Sequence, residues 1–230
     1  MYRMGHSAID ILAACAALAP VAFRAHQLGI LSACASPACI LQPAWWLLLV
    51  GIAFNYIMHA MIWNCPQNFT AISKQVPLNM LGSHPVDVFA SLEVVAKLVQ
   101  GASLLLFLGP TLCGEAVAAV LASPLWCWVA AAGLAGLGQT LNVAMYQAIG
   151  NAGVYYGFKL GRTVPWAYGF PFNVGLRHPQ YVGVVLTLWG LLTLLLCEPL
   201  AIVGLPQAVV VWGSMYAIMS AMEQAGDNDK

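Results

Sequence analysis

The stretch AGVYYGFKLGRTVPWAYGFPFNVGLRHPQYVG, residues 152–183, is the longest interruption in the C-terminal half of an otherwise apolar chain. Its prolines and its cationic or imidazole side chains are Pro165, Pro171, Pro179, Lys159, Arg162, Arg177 and His178. The prolines rule out one continuous helix and favour an ordered, turn-rich connection. A polar and aromatic segment between long apolar helices indicates a site at a membrane surface. The alternative is a basic loop that only sets the orientation in the membrane.

The composition is that of an integral membrane protein. Of the 230 residues, 61% are hydrophobic and 7% are charged, whereas a soluble domain carries about 25% charged residues. The formal net charge is zero, so the chain has no basic field for nucleic acid, and no such partner is expected. The seven cysteines are scattered without CxxC or Cys/His ligand spacing. Neither a disulfide framework nor a metal site is therefore predicted.

The apolar runs predict an all-α fold, a polytopic transmembrane bundle of about four to six helices that ends in a helical hairpin. The predicted spans are residues 7–23, 43–63, 86–108, 125–149, 181–197 and 200–222. The first is weak, because Asp10 and Pro20 interrupt it, and an interfacial helix or a cleaved targeting segment is the alternative. Residues 109–124 are predicted as a short connection, and residues 197–199 as the tight turn of the hairpin.

The third span contains two ionisable residues, Glu93 and Lys97, which are four positions apart and can pair along one helix face. At that depth both should face the bundle interior rather than lipid. One interpretation is a self-neutralising pair on a buried face, and the other is a contact with the substrate.

The sequence Gly136-Leu137-Gly138 lies inside the fourth predicted span. It is not a dinucleotide fingerprint, because no strand precedes it and no third glycine follows at the required spacing. Its glycines either let another helix approach closely or open a slot for a flat ligand group.

Two further motifs are predicted to meet at one membrane face. Glu223 ends the last predicted helix, where it is either a solvated end residue or an acceptor for a ribose or ammonium group. Arg177-His178-Pro179 opens the preceding helix, where proline suits the first turn and the free N–H groups favour an anion. His178 is either a plain interfacial histidine or part of that site.

Together these motifs resemble the phospholipid N-methyltransferase family. The matching sequences are GLG at 136–138, AGVYYGFKLG at 152–161, FPFNV at 170–174, RHPQYVG at 177–183 and Glu223-Gln224. The resemblance implies a membrane methyltransferase domain over residues 41–230. Residues 1–40 then form an N-terminal extension, with or without one weak span.

The resemblance implies that the chain binds S-adenosylmethionine. Carried over position by position, the cofactor-binding residues are Gly136, Leu137, Gly138, Arg177, His178, Tyr181, Glu223 and Gln224. Gln224 departs from the family, which usually has a second glutamate there, and a glutamine keeps the hydrogen bonds but loses the charge. Glu223 is therefore the expected ligand of the pair.

The implied reaction is transfer of a methyl group to the amine of phosphatidylethanolamine, phosphatidyl-N-methylethanolamine or both, toward phosphatidylcholine. The amine must first lose a proton, so His178 and Glu223 are the predicted catalytic residues, with His84 as a more distant base. The predicted substrate-binding residues are Lys159, Arg162 and Asn173, of which the cations suit the lipid phosphate. The expected partners are the phospholipid and the membrane; no oligomeric state is predicted.

Two other functions stay open on the sequence alone. One is a related membrane methyltransferase that acts on a prenylcysteine carboxylate or another lipophile. The other is a non-catalytic transporter or scaffold, against which the chain shows no internal repeat. The expected location is the endoplasmic reticulum membrane with the site facing the cytosol, and a mitochondrial membrane is the alternative.

The distribution of Lys and Arg generates a topology prediction. With six spans, one face collects Arg3, Lys74, Lys159, Arg162, Arg177 and Lys230, whereas the other has Arg24. Because basic loops stay cytoplasmic, a tag after Lys230 and a probe near Arg162 should both report the cytoplasm. Finding either one on the lumenal side would contradict a shared cytoplasmic site.

Overall fold

The computed structural model describes residues 7–30 and 42–228, and every regular element within them is helical. The α-helices are α1 Ser7–Ala16, α2 Ala19–Gln27, α3 Pro43–Asn64, α4 Pro66–Ser73, α5 Pro85–Thr111, α6 Val117–Leu121, α7 Leu125–Val154, α8 Pro179–Leu195, α9 Glu198–Ile202 and α10 Leu205–Asn228. The predicted all-α class is confirmed. The predicted domain boundary at residues 40 and 41, like Arg3 and Lys230, lies outside the described residues.

Four helical segments are long and apolar enough to cross a membrane. They are Ala8–Gln27, Pro43–Asn64, Pro85–Leu121 and Leu205–Ala225. The weak first segment is among them, and the predicted polytopic membrane fold is confirmed. Of the other two predicted spans, α8 is a shorter apolar helix of 17 residues, and α7 is 30 residues long.

Two predicted connections are wrong. The segment 109–124 is largely helical, because α5 continues to Thr111 and passes through a π-helical turn into α6. The chain departs from helical geometry at Gly114, which has no side chain to oppose a sharp break. In place of the tight turn at 197–199, the chain forms the short helix α9. Pro199 lies in the first turn of α9, a position where its fixed φ favours a helix.

The bundle is built from two helix pairs and a helix that joins them. α7 packs along α8, α3 packs along α5, and α10 contacts both α8 and α3. The largest buried cluster contains side chains of α3, α8 and α10, including Leu48, Leu192 and Leu205. Helix α10 therefore lies between the two pairs.

Close packing of α7 on α8 depends on facing glycines. A Cβ atom built on Gly138 would lie 2.3 Å from the carbonyl oxygen of Gly183, and one on Gly183 would lie 2.6 Å from that of Gly138. Small residues allow such an approach between membrane helices. The structure thus favours the packing interpretation for Gly138. The neighbouring Gly136 is different, since nothing lies within 4 Å of a Cβ atom there.

Alanine at these two glycines should separate packing from local helix propensity. Gly138→Ala forces a Cβ atom against backbone of α8, and overpacking of this kind costs about 1–3 kcal/mol. Gly136→Ala meets open space, and alanine favours a helix by about 1 kcal/mol over glycine. In detergent, the first variant should unfold at a lower temperature than the parent and the second should not. Equal melting temperatures for the two variants would contradict the packing role.

Candidate active site

The connection from α7 to α8 folds back over the C-terminal ends of α3 and α10. The regular geometry of α7 is interrupted at Gly150, and the chain then turns at Tyr156. Among the described residues, Tyr156 is the non-glycine residue with a positive φ angle, which is 53°. Such a conformation is uncommon outside glycine and persists where surrounding contacts hold it. Tyr156 is 5% exposed and packs against His59, Trp63 and Phe89.

Glu223 is the centre of the hydrogen-bond network beneath this connection. Its Oε1 atom accepts a hydrogen bond from the Tyr156 hydroxyl at 2.5 Å and another from the Tyr181 hydroxyl. Its Oε2 atom lies 3.5 Å from Nδ1 of His178. Only 8% of Glu223 is exposed, and a buried carboxylate requires such partners. Glu223 is therefore not a solvated end residue, and α10 continues beyond it to Asn228.

Tyr156 is held as a hydrogen-bond donor. Burial, and next the neighbouring Glu223 carboxylate, raise the pKa of Tyr156 well above its ordinary value. The phenol therefore keeps its proton at neutral pH. It fixes one Glu223 oxygen, while the stacked rings of His178 and Tyr181 flank the carboxylate on the α8 side.

A cavity of about 270 Å³ borders Glu223. Its aromatic and ionisable lining residues are Trp63, Tyr156, Phe158, Trp166, Tyr181, Arg177, His178 and Glu223. Aromatic faces and both signs of charge thus surround one space. The predicted residues Arg177, His178, Tyr181 and Glu223 are brought together there.

A second cavity, of about 430 Å³, lies deeper between the two helix pairs. It shares Val154, Gln180 and Tyr181 with the first cavity. Its polar lining includes Asn55, His59, Glu93, Lys97, Gln139 and Asn142. The two cavities are therefore neighbours with a common wall.

Sequence reasoning missed the importance of His59. Its Nδ1 atom lies 3.0 Å from the Tyr156 hydroxyl, and its Nε2 atom lies 3.2 Å from Oε1 of Glu93. The same Glu93 oxygen accepts a hydrogen bond from Asn55 at 2.7 Å. Lys97 is more distant, with Nζ 4.0 Å from Oε2 of Glu93. The sequence did contain an indication, because His59 lies inside a predicted apolar span, and a histidine there indicates a functional site.

The predicted substrate-binding residues line neither of these two cavities. Lys159 donates a hydrogen bond to the Trp63 carbonyl at 2.7 Å and lies over the Trp63 ring. Arg162 forms a two-pronged ion pair with Asp87 at 2.6 and 2.8 Å, and this hydrogen bonding raises the pKa of Arg162. Asn173 is exposed. Their substrate contacts stay predictions, while the observed contacts anchor the connection to α3 and α5.

Other predicted residues also lie apart from the Glu223 cavity. Gly136 faces open space, Leu137 is 53% exposed, and Gly138 packs on α8. Gln224 donates a hydrogen bond to the Ser220 hydroxyl, one turn earlier in α10. His84 accepts a hydrogen bond from the Val86 amide as the N-cap of α5, so its ring serves that helix end.

The N-terminal helices hold both ends of α8. Asp10 accepts hydrogen bonds from the backbone amides of Arg177 and His178 at 2.9 and 3.0 Å. Arg24 donates to the Leu196 carbonyl at 3.3 Å, at the other end. These charges complement the helix dipole. Asp10 thus already accepts from two of the backbone N–H groups at the start of α8, and binding of an anionic ligand by this helix start stays a prediction.

The fold and the site define an integral membrane protein with a buried candidate active site. Residues 126–225 match the family described as phospholipid methyltransferase, so the resemblance is confirmed for this part of the chain. A phosphatidyl-N-methylethanolamine N-methyltransferase of Arabidopsis thaliana is 36% identical over 105 residues, which are 45% of this chain and 55% of that relative. The chain thus aligns with about half of that protein's length. No solved structure matches the chain.

Removing Asp10 should loosen the segment that carries Arg177 and His178. Asp10→Ala deletes two hydrogen bonds to a charged acceptor, each worth about 1.5–3 kcal/mol, so exchange of these two amides should accelerate by about tenfold or more. Hydrogen–deuterium exchange of the peptide spanning 175–180 measures this. Glu115→Gln, which neutralises an exposed carboxylate, is the control. Exchange in Asp10→Ala at the parental rate would contradict the anchoring role.

Proposed function

We propose that the protein is an S-adenosylmethionine-dependent N-methyltransferase. Its proposed substrates are phosphatidylethanolamine, phosphatidyl-N-methylethanolamine or both, methylated toward phosphatidylcholine. The observation that carries the proposal is the buried Glu223 carboxylate in the wall of an aromatic cavity, within the segment that matches the phospholipid methyltransferase family. The Arabidopsis relative is a phosphatidyl-N-methylethanolamine N-methyltransferase by name, which supports an amine as acceptor.

The residues around the smaller cavity fit the chemistry of S-adenosylmethionine. Aromatic side chains such as Trp63 and Trp166 suit an adenine ring, and Arg177 suits a carboxylate. Glu223 suits a ribose hydroxyl or an ammonium group, and its negative charge offsets that of a sulfonium. Gln224, one residue further, lines neither cavity and donates a hydrogen bond to Ser220. The predicted contacts of Gly136, Leu137 and Gly138 gain no support from this geometry, and we do not include them.

Bound in this cavity, S-adenosylmethionine would supply an electrophilic methyl group on a positively charged sulfur. The protein's part is chiefly positioning, because in-line displacement needs the amine held in one orientation. Tyr156 and Tyr181 orient the Glu223 carboxylate. His178, with Nδ1 facing that carboxylate, is the proposed acceptor of the ammonium proton, and Glu223 stabilises the imidazolium that results. Surrounding aromatic side chains limit access of water.

Methylation of a prenylcysteine carboxylate or another lipophile is the second candidate. An amine acceptor needs a base to remove its proton, whereas an ionised carboxylate does not, so the His178–Glu223 pair favours the amine. The proposed location is the endoplasmic reticulum membrane with the site toward the cytosol, and a mitochondrial membrane is the alternative. The phospholipid and the membrane are the proposed partners.

A methyl-transfer assay with purified protein tests the function. Labelled S-adenosylmethionine is combined with phosphatidylethanolamine, with its monomethyl form and with its dimethyl form, each offered separately in mixed micelles. A prenylcysteine lipid is offered in a fourth reaction. The proposal expects label in at least one amine lipid and none in the prenylcysteine. Label confined to the prenylcysteine, or no transfer at all, would overturn it.

Substitutions at the end of α10 test the assignment of the cofactor ligand. Glu223→Gln removes a charge-assisted contact, which costs about 1.5–3 kcal/mol or about 10- to 150-fold in affinity. Gln224→Ala should cost less, because Gln224 lines neither cavity, and Gln224→Glu should be tolerated. The measurement is the Kd of S-adenosylmethionine for all three variants at one pH and salt concentration. Parental binding by Glu223→Gln together with lost binding by Gln224→Ala would show that the ligand is Gln224.

A further inference from the structure

The larger cavity contains ionisable groups that neither the family match nor the cofactor chemistry explains. Glu93 and His59 lie on α5 and α3, outside the segment 126–225 that matches the family. Only 7% of the Glu93 side chain is exposed, compared with 50% of the Lys97 side chain. Ionisable residues within membrane-spanning helices are costly and mark substrate pathways. The cavity is therefore a candidate binding site in its own right.

The two oxygens of Glu93 are unequally engaged. Oε1 accepts a hydrogen bond from Asn55 at 2.7 Å and lies 3.2 Å from Nε2 of His59. Oε2 has Lys97 at 4.0 Å, too far for a hydrogen bond. Glu93 Oε2 therefore has no hydrogen-bond donor among the described residues that line the cavity. An ammonium group has the N–H donors to satisfy this oxygen.

Lys97 is the cation that lines this cavity, and it lies on the side of Glu93 that is further from Glu223. Lys97 lies one helical turn beyond Glu93, further from the Pro85 end of α5. Glu93 is connected through His59 and Tyr156 to Glu223, whereas Lys97 is not on that path. From the membrane interior toward Glu223, the cavity therefore presents a positive charge and then a negative one. A phospholipid amine presents its phosphate and then its ammonium in that same order.

The cavity also has an apolar edge suited to acyl chains. Val94 and Leu98, which line it, are 58% and 68% exposed. Both belong to a helix that is long and apolar enough to cross the membrane, so their exposed surfaces face lipid. A headgroup can enter past them while its chains stay in the bilayer.

From these observations we propose that the larger cavity is the headgroup subsite for a zwitterionic aminophospholipid, with the ammonium at Glu93 Oε2 and the phosphate at Lys97. This deepens the function proposed above and rests on it for the identity of the reaction. Asn55 and His59 are positioning residues, because they hold the Glu93 carboxylate without being needed to touch the lipid. The shared wall at Gln180 and Tyr181 places the ammonium beside the Glu223 cavity.

Lipid binding by purified variants tests the subsite without a need for turnover. Native mass spectrometry compares dioleoyl phosphatidyl-N-methylethanolamine with dioleoyl phosphatidylglycerol, which has the phosphate but no ammonium. The parent should prefer the amine lipid, and Glu93→Gln should reduce that preference by about tenfold or more. Lys97→Gln should weaken the binding of both lipids, and Lys97→Arg should restore it. Glu115→Gln and Lys74→Gln neutralise exposed charges away from the cavity and should bind as the parent does.

The outcomes separate the subsite from the proposed function. Lys97 is half exposed, so its variants should fold and can test the subsite even if Glu93→Gln fails to fold. An unchanged preference in folded Glu93→Gln, or unchanged binding in Lys97→Gln, overturns the subsite. Methyl transfer by the parent, measured beside these experiments, then still supports the function. Conversely, the expected binding pattern without methyl transfer to any amine lipid supports the subsite and overturns the function.

Discussion

The hydrogen bonds from Tyr156 and Tyr181 to Glu223 are the interaction on which the site depends. They join three parts of the chain that are far apart in sequence: the α7–α8 connection, the start of α8 and the end of α10. A buried carboxylate without such donors would be expensive. Because the donors come from different elements, Glu223 is held in place only when these elements are packed correctly. The same carboxylate borders one cavity and, through Tyr181, the wall of the other.

Helix α8 is the support that places these donors. It is shorter than a membrane-spanning helix, yet it is fixed along its length by α7 and at its two ends by Asp10 and Arg24. Contact between Gly138 and Gly183 allows the close approach of α7. A weakly predicted N-terminal segment thus contributes to the geometry of the most strongly predicted motif. Lys159 and Arg162 extend this anchoring to α3 and α5.

Sequence reasoning predicted the helical membrane fold and the grouping of Arg177, His178, Tyr181 and Glu223, because hydrophobic runs and short motifs are local. It did not predict the partners of Lys159 and Arg162. The sequence around a loop cation does not show whether that cation binds a ligand or another residue of the chain, such as Asp87. It also underrated Glu93. Pairing at four-residue spacing suggested self-neutralisation with Lys97, whereas tertiary packing brings Asn55 and His59 closer. The break at Gly114 depended on backbone geometry that composition does not encode.

In the proposed complex, the cofactor lies against the Glu223 carboxylate, between the aromatic side chains of the α7–α8 connection and α8. An experimental structure of the protein with S-adenosylhomocysteine bound would test this placement. We expect ligand density in the cavity bordered by Trp63, Trp166 and Tyr181, within hydrogen-bond distance of Glu223. Density along the exposed face of α7 at Gly136, with the Glu223 cavity empty, would contradict it.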